Sequence, residues 1–239
     1  MSGQPSTLIP SRKLMKNRKL LEARSTIYGC IASLFSDPNS EKFDLIFNED
    51  FQQDVLEACH RIEKGSKNGQ PNLADLFSRA LQRINADERE VTAAESVQIF
   101  GHTLSKQLTP YELEHLGNED VFFRTQKLAD LSGFYRAFGL EVDSRERADH
   151  IATQSEFISF LLIKEALALS NGSSPDNVEV CHNARLDFLE EHFIDWVEIF
   201  SDNLTKVARG GFYRVVGQFL KDFISIEKLS IAKETLSDT

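Results

Sequence analysis

Acids and histidines recur in this chain at spacings that suit two kinds of chemistry. Glu112-x-x-His115 and Glu179-x-x-His182 each set a carboxylate three residues before an imidazole. On a helix that spacing places both on one face, the arrangement by which helical bundles hold paired metal ions. Such a centre needs two more carboxylates from other helices, and Glu156 and Glu95 are the available candidates. Glu112 counts against it, because it closely follows Pro110 at a helix start whereas bundle metals lie deep. Short patterns of this kind also arise by chance in a Glu-rich chain.

The second pattern is Asp149-His150, expected in the first turn of a strongly apolar helix with Glu156 seven residues on and on the same side. Asp149 there complements the helix N-terminal dipole, and His150 is then an ordinary neighbour. The functional reading is a polar cluster at the mouth of a groove, holding a basic peptide segment. A histidine of ordinary pKa at that place would make binding sensitive to pH near neutrality. Thr109-Pro110-Tyr111-Glu112 reads first as a capping box, with Thr109 at N-cap, Pro110 at N1 and Glu112 at N3. Tyr111 is not needed for capping, and an aromatic ring with a polar tip suits a peptide-binding rim.

Other chemistries lack their residues. Gly65 to Gly69 has no Lys-Ser/Thr ending, and Gly133 and Gly139 fall within and at the end of a helical pattern, so neither pair forms a phosphate loop. No G-x-S-x-G elbow is present. Cys30, Cys59 and Cys181 are odd in number and far apart, which suits reduced thiols in a cytoplasm. No cofactor is implied.

The elements that must carry these residues are helical. After Pro71 the only prolines are Pro110 and Pro175, leaving long stretches without the frequent turns that strand-rich folds need. Helices fit 12–36, 41–48, 50–64, 72–85, 87–104, 119–138, 147–171, a kinked pair from Pro175 to about 209, and 212–228. Leu128, Leu131, Tyr135 and Phe138 form one stripe of the 119–138 helix, with Gly139 as its left-handed stop. In the first helix Leu14, Leu20, Leu21, Ile27, Ile31 and Leu34 are expected to face inward, while the basic residues of 12–24 form a solvated face. Trp196 is read as core. The expectation is an all-α, single-domain bundle of roughly eight to ten helices over 1–239, with frayed tails at 1–11 and 229–239.

Composition and charge narrow the partners. The 239 residues are 41% hydrophobic and 27% charged, ordinary for a folded globular chain. Residues 1–24 hold six basic residues against Glu22, a local sum of +5, so the formal −10 of the chain leaves −15 on the other 215 residues. An acidic body of that size repels phosphate backbones and attracts basic, partly apolar peptides. No run of about eighteen apolar residues is present to span a membrane, and no apolar block follows the basic N-terminus as in an export signal.

Four stretches resemble the TorD/DmsD/NarJ family, all-helical cytoplasmic chaperones that mature molybdenum enzymes. They are Tyr28-Gly29-Cys30-Ile31-Ala32-Ser33-Leu34-Phe35; Thr109-Pro110-Tyr111-Glu112; Gly133-Phe134-Tyr135-Arg136-Ala137-Phe138-Gly139-Leu140 through Arg147-Ala148-Asp149-His150 to Glu156-Phe157; and His192-Phe193-Ile194-Asp195-Trp196-Val197, with a later Phe212-Tyr213. They are similar to the family's Y-x-x-L/I-A-x-L-F, P-Y-E, F-Y-x-A-F-G-L with R-P-D-H and E-x-E-F-M, and H-L-x-x-W-V-P. The chain departs at Ala148 and Glu198, where proline is usual, and at Gln154, where glutamate is usual, which removes one acid from the presumed polar cluster. The style is most similar to chaperones of dimethyl sulfide, ethylbenzene, selenate and chlorate enzymes. The resemblance implies a non-enzymatic monomer or dimer that binds a twin-arginine signal peptide and the apo-catalytic subunit of a molybdopterin enzyme before export. Its implied client site comprises Pro110, Tyr111, Glu112, Asp149, His150 and Glu156. Some family members are suggested to bind guanine nucleotide, for which no loop is visible here.

Overall fold

A computed structural model describes residues 12–64, 72–84, 89–101, 108–117, 120–143, 146–170 and 175–237. Among these, ten α-helices follow in order: α1 (Arg12–Leu34), α2 (Glu41–Asp44), α3 (Glu49–Glu63), α4 (Leu73–Arg83), α5 (Arg89–Phe100), α6 (Val121–Ala137), α7 (Ile151–Ser170), α8 (Pro175–His192), α9 (Ile194–Val207) and α10 (Phe212–Ser237). Two 3-10 turns, Leu45–Phe47 and Glu112–Glu114, complete the regular structure. The fold is all-α, as the proline spacing predicts. The glycine loop 65–71, the tail 1–11 and Ser174 lie outside the described residues.

Short polar side chains set several helix starts. Ser40, Asn48 and Asn72 accept from the amides of Phe43, Phe51 and Asp75 at 3.2, 2.8 and 3.0 Å, each satisfying an orphan N–H of a first turn. Asp120 accepts from both Phe122 and Phe123, so α6 begins at Val121 rather than 119. Gly139 (φ 72°) ends it in a Schellman turn, with its N–H on the Arg136 carbonyl and that of Leu140 on Tyr135.

Helices α1 and α7 run against each other at the centre, with α3 and α8 beside them, while α9 packs on α10 and α10 on α4. The α1–α7 approach is close because Ser25 and Ser159 face each other, each hydroxyl 3.0 Å from the other's carbonyl. Phenylalanine fills the core: Phe43, Phe77, Phe188, Phe193, Phe200, Phe219 and Phe223 are all fully buried. Tyr28 meets Phe193 and Phe223 edge-on at 5.6 and 5.1 Å, the geometry that aromatic quadrupoles favour. The expected kink falls at Phe193, whose backbone (φ −133°, ψ −58°) leaves the helix between α8 and α9.

Three expectations are corrected. Helix α10 runs to Ser237 instead of fraying from 229, because Ile231 is buried and Glu234 is ion-paired to Arg24 (2.9 Å) and Arg185 (2.6 Å). Arg24 does not belong to a solvated face. It is buried against the buried Glu227 at 2.7 Å, while Leu20, expected to face inward, is exposed. Helix α7 starts at Ile151, four residues late, since the preceding residues bond elsewhere.

Candidate functional site

Proline dictates the first wall of the site. Pro110 biases Thr109 away from helix, and Tyr111 is extended (φ −120°, ψ 130°). The strand-like segment pairs with the residues before α7 as an isolated antiparallel bridge, Tyr111 to His150. The Glu112 amide donates to the Asp149 carbonyl and the Ile151 amide to the Pro110 carbonyl, both at 2.9 Å. The capping box is therefore not formed. Thr109 Oγ1 accepts from Tyr111 at 3.3 Å, and the Glu112 side chain turns inward.

Side chains lock this bridge in place. Arg147 donates twice to Asp149, at 2.9 and 2.8 Å, and its guanidinium lies 4.1 Å from the centre of the Tyr111 ring. Tyr111 in turn meets the His150 ring edge-on at 5.1 Å. The Tyr135 hydroxyl donates to the Ala148 carbonyl at 2.7 Å, tying α6 to the residue before Asp149. His150 Nδ1 accepts the Ala152 amide at 3.1 Å and so caps α7. Burial, joined by the positive Arg147 and Lys42 and opposed by Asp149, pushes the His150 pKa down to about 4. His150 is thus neutral at pH 7, contrary to the expected titration near neutrality.

Behind the wall lies a buried polar network. Glu112 accepts from Gln154 Nε2 at 2.6 Å and pairs with His192 Nδ1 at 3.2 Å. Gln154 Oε1 accepts from Trp196 Nε1 at 3.1 Å, and that N–H is shared with the His192 carbonyl at 2.9 Å. An amide serves both neighbours because it donates to one and accepts from the other. Trp196 is buried as expected, but its indole N–H is used. His192 packs between Phe134 and Phe188 at 5.5 and 5.6 Å.

The six residues singled out from the sequence divide between these layers. Pro110, Tyr111 and His150 line a cleft of about 560 Å³, together with Phe35, Phe100 and Arg147 among others. Glu156 lines an adjoining pocket and binds Lys42 at 2.7 Å. Asp149 and Glu112 are buried behind the surface, and the Asp149 carboxylate is taken up by Arg147 and by the Leu113 amide at 3.3 Å. Neither offers a charge to the cleft. The residues that sequence reasoning missed are Arg147, Gln154 and His192 as partners, and Lys42 altogether.

The metal alternative is overturned by position. Glu112 belongs to the network above, His115 packs on Trp196 and bonds the Thr109 carbonyl, and Glu156 binds Lys42. His182 bonds Glu165 at 2.9 Å, Glu95 accepts the Phe212 amide at 3.0 Å, and Glu179 is exposed. Among the described residues no group of three or more His, Cys, Asp or Glu could hold a metal ion.

Residues 62–202, a span containing the bridge and the whole Glu112 network, match the family model described as nitrate reductase delta subunit. The chain belongs to the nitrate reductase delta subunit family. This is the family of the TorD-type molybdoenzyme maturation chaperones. A chaperone protein TorD from Vibrio parahaemolyticus is 24% identical over 226 residues, covering 89% of this chain and 96% of the relative. A perchlorate reductase assembly chaperone protein from Dechloromonas aromatica is 36% identical over 74 residues (30% of this chain, 32% of the relative). A chlorate reductase assembly chaperone protein from Ideonella dechloratans is 35% identical over 79 residues (32% and 39%). These relatives are named chaperones, not catalysts, and the chain is a maturation chaperone rather than an enzyme. No helix among its described residues is long and apolar enough to cross a membrane.

Proposed function

We propose that this chaperone acts in the cytoplasm by binding the twin-arginine signal peptide and the apo-catalytic subunit of a molybdopterin oxidoreductase. It holds the client through assembly and cofactor insertion, and releases it for export. The observation that carries this reading is the aromatic cleft formed by Pro110, Tyr111 and His150, set in a body of net −15. A signal peptide offers the complementary pattern, a basic end followed by an apolar stretch, and its apolar part suits the Tyr111, Phe35 and Phe100 surfaces. The relatives named for perchlorate and chlorate reductases support a client of that class.

Calorimetry with a panel of twin-arginine peptides tests it. Binding is expected for at least one peptide, weakened about tenfold, or roughly 1.4 kcal/mol, in Tyr111→Ala, as for loss of one aromatic contact in a peptide groove. No binding to any peptide, together with no association with an apo-molybdoenzyme, would overturn the reading.

A further inference from the structure

A second pocket adjoins the Tyr111–His150 cleft, with a volume of about 490 Å³. Its apolar surface comes from Leu140, Val142, Phe157 and Phe160. Its acidic side chains are Glu141, Asp143, Glu146 and Glu156, and among the described residues Lys42 is the cation that lines it. Lys42 lines both hollows, as do Glu146 and Thr153. The Lys42 ammonium sits 2.7 Å from Glu156 and 3.7 Å from Glu146, so only one of the two carboxylates is within hydrogen-bonding distance. Thr153 is 9% exposed, and its Oγ1 has no hydrogen-bond partner.

We propose that this pocket is a subsite for an arginine side chain of the client peptide, with an apolar neighbour, and that Lys42 fills it internally until displaced. The inference rests on the peptide-binding reading above and names what this part of the surface takes. A guanidinium presents five N–H donors in a planar fork that can bond both carboxylates in bidentate fashion, whereas the Lys42 ammonium is held closely by Glu156 and only loosely by Glu146. The apolar surface beside it covers the stem of that side chain and the residue next to it. Displacement costs little, because Lys42, Glu146 and Glu156 have side chains 48%, 46% and 42% exposed. Lys42 also stands on a helix of only four residues, anchored by Phe43. Removing Lys42 deletes a competitor, while removing the Glu156 charge deletes the attraction.

Titration of the protein with acetyl-Arg-Phe-amide, followed by protein NMR shifts, tests this alongside a full twin-arginine peptide. Lys42→Met is expected to tighten the short probe about threefold, and Glu156→Gln to weaken it about fivefold, the scale of partly exposed ion pairs. Glu146→Gln checks the same site with a second variant, and unchanged thermal unfolding confirms that each variant is folded. Equal or weaker binding by Lys42→Met, or no loss in either acid variant, overturns the subsite. If long peptides bind in a Tyr111-dependent way while these variants bind the short probe as the original does, the peptide reading stands and the subsite falls. If the short probe responds as expected and no long peptide binds, the arginine subsite stands and the peptide reading falls.

Discussion

Gln154→Glu replaces an amide by the acid that is usual at this place in the family pattern, and its effect follows from the geometry around Glu112. The Gln154 amide donates to a buried carboxylate at 2.6 Å and accepts from Trp196 at 3.1 Å. A glutamate keeps the second contact and loses the first. The lost bond is charge-assisted, worth roughly 1.5–3 kcal/mol. The pair can restore it only by taking up a proton, because two ionised carboxylates cannot share so short a contact in a buried site. From an ordinary carboxyl pKa of ~4.3, holding that proton at pH 7 costs about 3.7 kcal/mol, and at pH 5 about 1 kcal/mol. The destabilisation at pH 7 is therefore set at about 2–4 kcal/mol, between the lost bond and the cost of holding the proton. The sign is definite. The new carboxyl has a folded pKa above its unfolded one, so the variant approaches the original below about pH 4.3 and falls away as pH rises. Urea unfolding at pH 5 and pH 7.5 measures this, with a midpoint lowered by about 1 M or more at the higher pH. Equal midpoints at pH 7.5 would refute the argument, and a loss independent of pH would show that packing, not charge, governs the site.

Arg24→Met leaves Glu227 buried without its cation and is expected to cost about 3–5 kcal/mol in urea unfolding, with part recovered when Glu227→Gln is added. His150 is depressed to about 4, so stability is fully present above about pH 6.5 and is lost as pH falls toward 4, by on the order of 3 kcal/mol. His150→Asn keeps an acceptor for the Ala152 amide but does not titrate, and unfolding curves between pH 4 and 7 should be flatter for it than for the original chain.

The helices were legible where local rules decide them. Asp120, Gly139 and the stripe of α6 act within a turn or two of the backbone, whereas the break at Phe193 falls inside a run, Leu189, Phe193, Trp196 and Phe200, whose spacing is helical throughout. The Tyr111–His150 bridge was not legible, because Thr-Pro-x-Glu satisfies the capping rule and nothing local signals a partner some forty residues away. Asp149 stands out in the sequence, yet only the fold shows Arg147 consuming its charge. Arg24 carried a signal that charge counting hides: it lies on the same helical stripe as Ile27, Tyr28 and Ile31, where an exposed cation has no place. Lys42 carried none, since its neighbours Glu146 and Glu156 come from remote segments.

The paired amides of Glu112 and Ile151 make one plate of two rims that would otherwise move apart. Widening the cleft by parting Tyr111 from His150 means breaking both bonds together and uncovering Asp149. Opening there is expected to break the two bonds together, and those two amides are its natural reporters in hydrogen exchange. A ligand that slides in against an intact plate leaves them protected, whereas one that pries the plate apart speeds both at the same rate.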